Sequence, residues 1–463
     1  MHLQKSICSV LSLISLGSNA AWSQECTNFR PAPVAVSMAG ELRGTKLMPE
    51  LSQPPGQMAD TPSQKGNAES QYSNLTMVEP YLIDGKLDAG ESALRAQLRK
   101  VPNDDQARFG LGMLQFLTAV EGLGQGLYRY GLRDFTSRGF VLPFLRLPLR
   151  ANPKPEKVSY ENVRQIFEKF RAKLMIAETT LAAITDGDVR LPLHFGLIRL
   201  DLNGDGRSDE DDMLWKVYMR INNRQDITAE QARDFYIKFD RGDVHWLRGY
   251  CHLLSSVCDM LLAHDFEETF NCIAHMFFMR VETPYQFLSK GKHFRNIGEG
   301  DADVLDLIAL VHLIRWKVIE PKRMVSALHH LEAVIEQSRE TWKWIMAETD
   351  DDHEWLPNPS QTGVIPNVSV TNEMVTAWSE IMNESEKILA GKLLIPFWRG
   401  TDGSGINVRE VFLHPSTFDL VLWAQGTAAA PYLQHGPLTK GVTWRRWQGE
   451  FGSNFPGFAL WFN

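Results

Sequence analysis

Residues 201–212 read Asp-Leu-Asn-Gly-Asp-Gly-Arg-Ser-Asp-Glu-Asp-Asp, and their types and spacing suit a loop wrapped round a hard cation. Calcium takes roughly six to eight oxygens, which a tight loop delivers from side chains at positions 1, 3, 5, 9 and 12 and from a backbone carbonyl at position 7. Here those positions hold Asp201, Asn203, Asp205, Asp209 and Asp212, and the carbonyl of Arg207 completes the set. Position 6 has to turn sharply, which is the place of Gly206. Carboxylates gathered without a cation repel one another, so the spacing predicts a loop that tightens around its ion. That chemistry is ion binding and names no reaction.

The loop resembles the calcium loop of the EF-hand, in particular its dockerin-type variant, because Asp212 stands where sensor proteins carry a bidentate Glu. The resemblance implies one Ca2+ held by Asp201, Asn203, Asp205, the Arg207 carbonyl, Asp209 and Asp212. Paired EF-hands join through an apolar residue at position 8, whereas this chain has Ser208 there and no second loop of the pattern. The expectation is a lone structural ion with affinity in the extracellular range of roughly 0.1–1 mM.

Other candidate chemistry is weaker. The apolar stretch 243–263 carries one polar stripe of His245, Arg248, His252, Ser255 and Asp259, which either meets solvent or lines a pocket. In a pocket, His252 could act as a general base. His245, His252 and Asp259 are each seven apart, roughly 10.5 Å along a helix, so they cannot share one metal from this helix alone. The run Glu348-Thr349-Asp350-Asp351-Asp352-His353-Glu354 offers oxygens to a cation but lacks the glycine-punctuated spacing of a calcium loop. It reads first as a solvated acidic turn. His329, Glu332 and Glu336 share a helical face near His330. The Gly-rich turn 400–405 would cradle an anion only ahead of a helix N-terminus. Phosphate-binding loops, nucleophile elbows, His-Glu-x-x-His and dinucleotide fingerprints are absent from the sequence.

The elements that must position these residues are mostly helical. The cleanest pattern runs over 159–185, with Val163, Ile166, Phe167, Phe170, Leu174, Ala177, Leu181 and Ile184 on one face. Further apolar helical patterns cover 210–221, 228–238, 243–263, 265–279, 302–319, 323–347 and 372–390, the last closed by Gly391. Arg241-Gly242-Asp243 reads as a helix start with Asp243 as its cap. Before them, Ala93, Leu94, Leu98, Pro102, Ala107, Leu111 and Gly112 form a helical hairpin that resembles a tetratricopeptide-repeat junction over about 35 residues. Arg108 departs from that pattern where an aromatic is usual, and no second repeat follows.

Residues 1–20 have the charge, short apolar run and small-residue end of a secretory signal peptide. The stretch to residue 80 is rich in Pro, Ser, Gly and Gln, as a flexible linker is. No stretch is long and apolar enough to span a membrane, and a formal charge of −8 argues against a nucleic-acid binder. Cys26, Cys251, Cys258 and Cys272 remain beyond the signal, too few for a disulfide scaffold. Buried thiols are the simplest expectation. The terminus carries Trp444, Trp447, Trp461 and Phe462 and reads as a docked tail.

The sequence thus predicts a mainly α-helical protein: signal peptide 1–20, linker 21–80, helical hairpin 81–150, helical core 151–395 containing the Ca2+ loop, and an aromatic-rich segment 396–463 packed on the core. Its expected role is calcium-stabilised binding or scaffolding of a protein or surface partner, periplasmic or extracellular. The competing expectation is a hydrolase using His252 and Asp259 or the 348–354 cluster.

Overall fold

Helices in this chain begin where the sequence supplies caps. The structure, a computed structural model, describes residues 76–133, 149–216, 228–290, 303–364, 369–400 and 403–441. All of these belong to one contact unit. The short helix α1 (Glu79–Ile83) leads into α2 (Leu87–Lys100) and α3 (Asp105–Arg129). Asp104 starts α3 by accepting the Ala107 N–H, and Ser159 with Asn162 forms a reciprocal capping box at the start of α4 (Tyr160–Ala182). Such caps satisfy N–H groups that the helix itself cannot, each worth about 1 kcal/mol.

Strand β1 (Leu191–His194) pairs antiparallel with β2 (Tyr236–Phe239), which follows the short helix α5 (Ala229–Asp234). Then come α6 (Arg241–Leu262), β3 (His264–Asp265), α7 (Glu267–Ile273), α8 (Val304–Leu313), β4 (Arg315–Val318), α9 (Pro321–Ile345) and α10 (Asn372–Leu389). In the last part, β5 (Ile395–Pro396), β6 (Ser404–Ile406) and β8 (Leu433–His435) make one small sheet, and β7 (Phe418–Asp419) joins β3 and β4 in another.

The long helices form a row of neighbours in the order α3, α4, α6, α9, α10, with α6 against α9 the most extensive contact. The predicted face of α4 is buried throughout: Val163, Ile166, Phe167, Phe170, Leu174, Ala177 and Leu181 all point into the core. Gly112 lets α3 approach α4, since a Cβ there would lie 2.4 Å from Leu181. Apolar residues of α2, α3, β1 and β2 make one core cluster, those of α3, α4, α6 and α7 a second, and those of α9 and α10 a third.

The mainly helical class is as expected, and four local differences have physical reasons. The helix expected over 228–238 stops at Asp234, because the alternation of Tyr236-Ile237-Lys238-Phe239 buries Ile237 and Phe239 in a strand. The helix expected over 302–319 stops at Leu313, and Arg315–Val318 pairs with β3 and β7. In the stretch expected as a helix over 210–221, Glu210–Asp212 is a single 3-10 turn, whose ends Asp209 and Asp212 cap, and helix is found over 214–216; residues 217–221 lie outside the described residues. The cap of α6 is Asp240, with Asp243 as its reciprocal partner three residues on, so Asp243 is not itself the cap. The signal peptide, nearly all of the linker, Cys26 and the aromatic residues Trp444, Trp447, Trp461 and Phe462 also lie outside the described residues.

Candidate metal centres

The twelve-residue loop sits between the turn that joins α1 to α2 and the side of α3. Its chain reverses at Gly204 (φ +70°) and Gly206 (φ +74°), conformations open to glycine at little cost. The Asp201 carboxylate accepts the N–H groups of Gly204 (2.7 Å) and Asp205 (3.2 Å) on Oδ1 and that of Gly206 (2.9 Å) on Oδ2. Asn203 accepts the Asp205 N–H, and Asp205 accepts that of Arg207. Asp209 and Asp212 cap each other across the 3-10 turn. Asp201 and Asp212 are buried, whereas Asp205, Arg207 and Asp209 are exposed.

No α-helix leads into this loop; a single 3-10 turn, Phe195–Leu197, gives way to extended chain. Ile198–Leu200 is extended and is clipped to the far end by Leu200 N–H to the Asp212 carbonyl (3.1 Å) and Leu214 N–H to the Ile198 carbonyl (2.8 Å). Position 8, Ser208, seats against Gly85, whose φ is +65°. Burial and the charges of Asp209 and Asp201 push the Asp212 carboxyl up. Burial, together with Asp201, pushes Glu121 of α3 up to about 7. Arg150 lies outside the ligand set and pairs with Asp209 (3.4 Å) and Asp211 (2.6 Å). An oxygen-only donor set whose buried Asp212 carboxyl resists ionisation fits a hard divalent cation.

A second concentration of acid sits at the head of α6. Oxygens of Asp240, Glu348 and Glu354 lie within 4.8 Å of one another; the carboxylates of the 201–212 loop do not converge to that degree. The sequence showed Glu348 and Glu354 in one acidic run and missed Asp240, which its capping role brings over them: Asp240 Oδ1 accepts the Gly242 N–H at 2.7 Å. Arg190 approaches Asp240 at 3.8 Å, and Gln361 donates to Glu348 at 3.0 Å. Burial, a hydrogen bond with Asp240 and its charge push Glu348 up to about 10, and burial with Asp240's charge pushes Glu354 up to about 7. Glu348 therefore resists ionisation beside Asp240, to which it is hydrogen-bonded. His353, between the acids, has φ +65°, an uncommon conformation for a side-chain-bearing residue that turns the chain toward Glu354. Further along the run, Asp352 is bridged to Lys238 and Asp351 accepts the Thr362 N–H.

The polar stripe of α6 faces neighbouring helices. His245 Nδ1 meets Gln337 Oε1 at 2.8 Å. His252 lies between His330 of α9 (Nδ1 to Nδ1, 2.9 Å) and Glu178 of α4 (Nε2 to Oε1, 3.4 Å). Asp259 is fully buried and pairs with Arg171 and Arg323. Burial alone would raise Glu178, but hydrogen bonds from His252 and Arg248 hold its carboxyl down. This is a buried ionic seam joining three helices. The structure does not bring His252 and Asp259 to the 348–354 cluster.

The remaining candidates resolve simply. His329 is exposed while His330 turns inward, and Glu332 is bound by Arg409 at 2.8 Å. In the turn at 400–405, Ser404 already belongs to strand β6, and the next helix begins only at Val408, capped by the Asn407 side chain. Cys251 and Cys258 are buried free thiols, and burial pushes both up. Among the described residues no helix is long and apolar enough to cross a membrane. Comparison of the chain with protein-family models, with curated proteins and with solved structures gives no match.

Proposed function

We propose that this chain is a calcium-binding protein whose ion, held by Asp201, Asn203, Asp205, the Arg207 carbonyl, Asp209 and Asp212, fixes the 201–212 loop against the first helical group. The observation that carries this reading is the posture of Asp201. Three backbone N–H groups orient its carboxylate, and each oxygen has two lone pairs, so capacity is left for a cation. The shorter side chain of Asp212 and the lack of a partner loop favour a weak site. The signal-peptide pattern of residues 1–20 supports export to a compartment where calcium is plentiful. The role that follows is binding or scaffolding of a protein or surface partner, with the ion structural.

Isothermal titration of the full mature chain with calcium tests the reading. Expected is a dissociation constant of roughly 0.1–1 mM, a calcium-dependent rise in melting temperature, and loss of both in Asp205→Ala. No heat and no thermal shift in the wild type overturn it.

A second reading rests on the close approach of Glu348, which resists ionisation, to Asp240. An acid and a base held together are the equipment of a hydrolase, and the same oxygens, with Glu354, suit a second cation. Stoichiometry separates these uses: a second bound ion that Glu348→Gln removes assigns the cluster to metal, and its absence leaves the acid–base use.

A further inference from the structure

We infer that helix α3 anchors the calcium loop in place of a leading helix, with Glu121 and Gln125 as positioning residues that fix the peptide groups on both sides of Asp201. The inference rests on the calcium reading of the loop. In a helix–loop–helix site the residue carrying the first ligand belongs to the end of a helix, and i to i−4 hydrogen bonds set its backbone. Here the preceding residues are extended and bonded to the far end of the loop, so they offer no such partner. Asp201 N–H instead donates to Glu121 Oε2 at 2.9 Å, and the Asp201 carbonyl accepts from Gln125 Nε2 at 2.9 Å.

Glu121 and Gln125 are four apart on α3 and so lie on one face, one turn from each other. Between them Gly124 leaves room for Leu202, the second residue of the loop; a Cβ there would stand 2.7 Å from the Leu202 side chain. The side chain of Gln125 also lies 3.5 Å from the position a Cβ on Gly204 would take, within the first turn of the loop. One face of α3 therefore grips the first ligand by its donor and its acceptor, and seats the next residue in a gap made for it. Loss of either grip lets the Asp201 peptide rotate, which moves its carboxylate off the axis shared with Asn203 and Asp205.

The test is calcium titration of the full chain as wild type, Glu121→Ala, Glu121→Gln and Gln125→Met, with melting in chelator recorded for each. A net hydrogen bond corresponds to roughly a three- to tenfold change in an equilibrium constant. Glu121→Ala and Gln125→Met are expected to weaken calcium binding by that factor, while Glu121→Gln, which keeps an acceptor for the Asp201 N–H, stays within about twofold of wild type. Wild-type affinity in both Glu121→Ala and Gln125→Met overturns the inference. So does equal weakening in Glu121→Gln and Glu121→Ala, because charge rather than the acceptor would then be responsible. Should Glu121→Ala lose its cooperative melt, Gln125→Met decides alone. A wild type that binds no calcium brings down the calcium reading itself, a result distinct from these.

Discussion

The Nδ1 atoms of His252 and His330 face each other at 2.9 Å across the contact of α6 with α9. Of two imidazole nitrogens that close, one must carry hydrogen and the other must not. Glu178 at the far side of His252 and Asp259, 3.7 Å from His330 Nε2, are negative, while Arg171, Arg248 and Arg323 border the seam. A charge on His252 therefore opposes one on His330.

That relationship makes stability pH-dependent. Burial, and then the charge of His252, hold His330 down to about 4, below the ordinary value near 6.5. The unfolded chain then binds more protons than the folded one between those values, so stability is full above about pH 6.5 and is lost as pH falls toward about 4. Urea unfolding across this window should show a decline on the order of 1–3 kcal/mol in the wild type. His330→Gln, neutral throughout, should flatten it. An unchanged slope in that variant would exclude His330 as the source.

The acid cluster has the opposite sign. Glu348 is raised far above its ordinary value, so its contribution is intact below about pH 4.5 and erodes as pH rises toward about 10. Glu348→Gln keeps the shape, donates to Asp240 and needs no proton. We expect it to stabilise the metal-free protein at about pH 8 by on the order of 1–2 kcal/mol, a modest figure because Glu348 is only partly buried. Chemical denaturation in chelator checks this; destabilisation would show that the glutamate is needed as an ion.

Gly85 tests the seat of the loop. Its φ of +65° disfavours any side chain, and an added Cβ would fall 2.0 Å from Ser208 Oγ. Gly85→Ala should cost about 1–2 kcal/mol in a thermal melt. Adding Ser208→Gly should recover part of that loss by removing the collision and leaving the backbone strain. A double variant no better than the single would show that the collision is already relieved by movement.

The helices were legible because their apolar residues recur at helical spacing: the α4 face from Val163 to Leu181 was readable one residue at a time. The strands Tyr236–Phe239 and Arg315–Val318 also alternate, but four residues beside a longer apolar run are too short a signal against a helical reading. The 201–212 loop stood out by side-chain type. Its supports did not, since Glu121, Gln125 and Gly85 are ordinary residues of other elements that become neighbours only through the fold. Asp240 was hidden for the same reason, lying far in the chain from Glu348 and Glu354.

The clip that ties Ile198–Leu200 to Asp212–Leu214 bears on how long the loop stays shut. Its base is bonded strand to strand, so the N–H groups of Leu200 and Leu214 should exchange slowly with solvent in chelator and in calcium alike. The N–H groups of Gly204, Asp205 and Gly206 hang on one carboxylate, and theirs are the exchange rates an ion would slow. Calcium would then be recorded as the lifetime of a closed loop tip, with the path of the chain the same before and after.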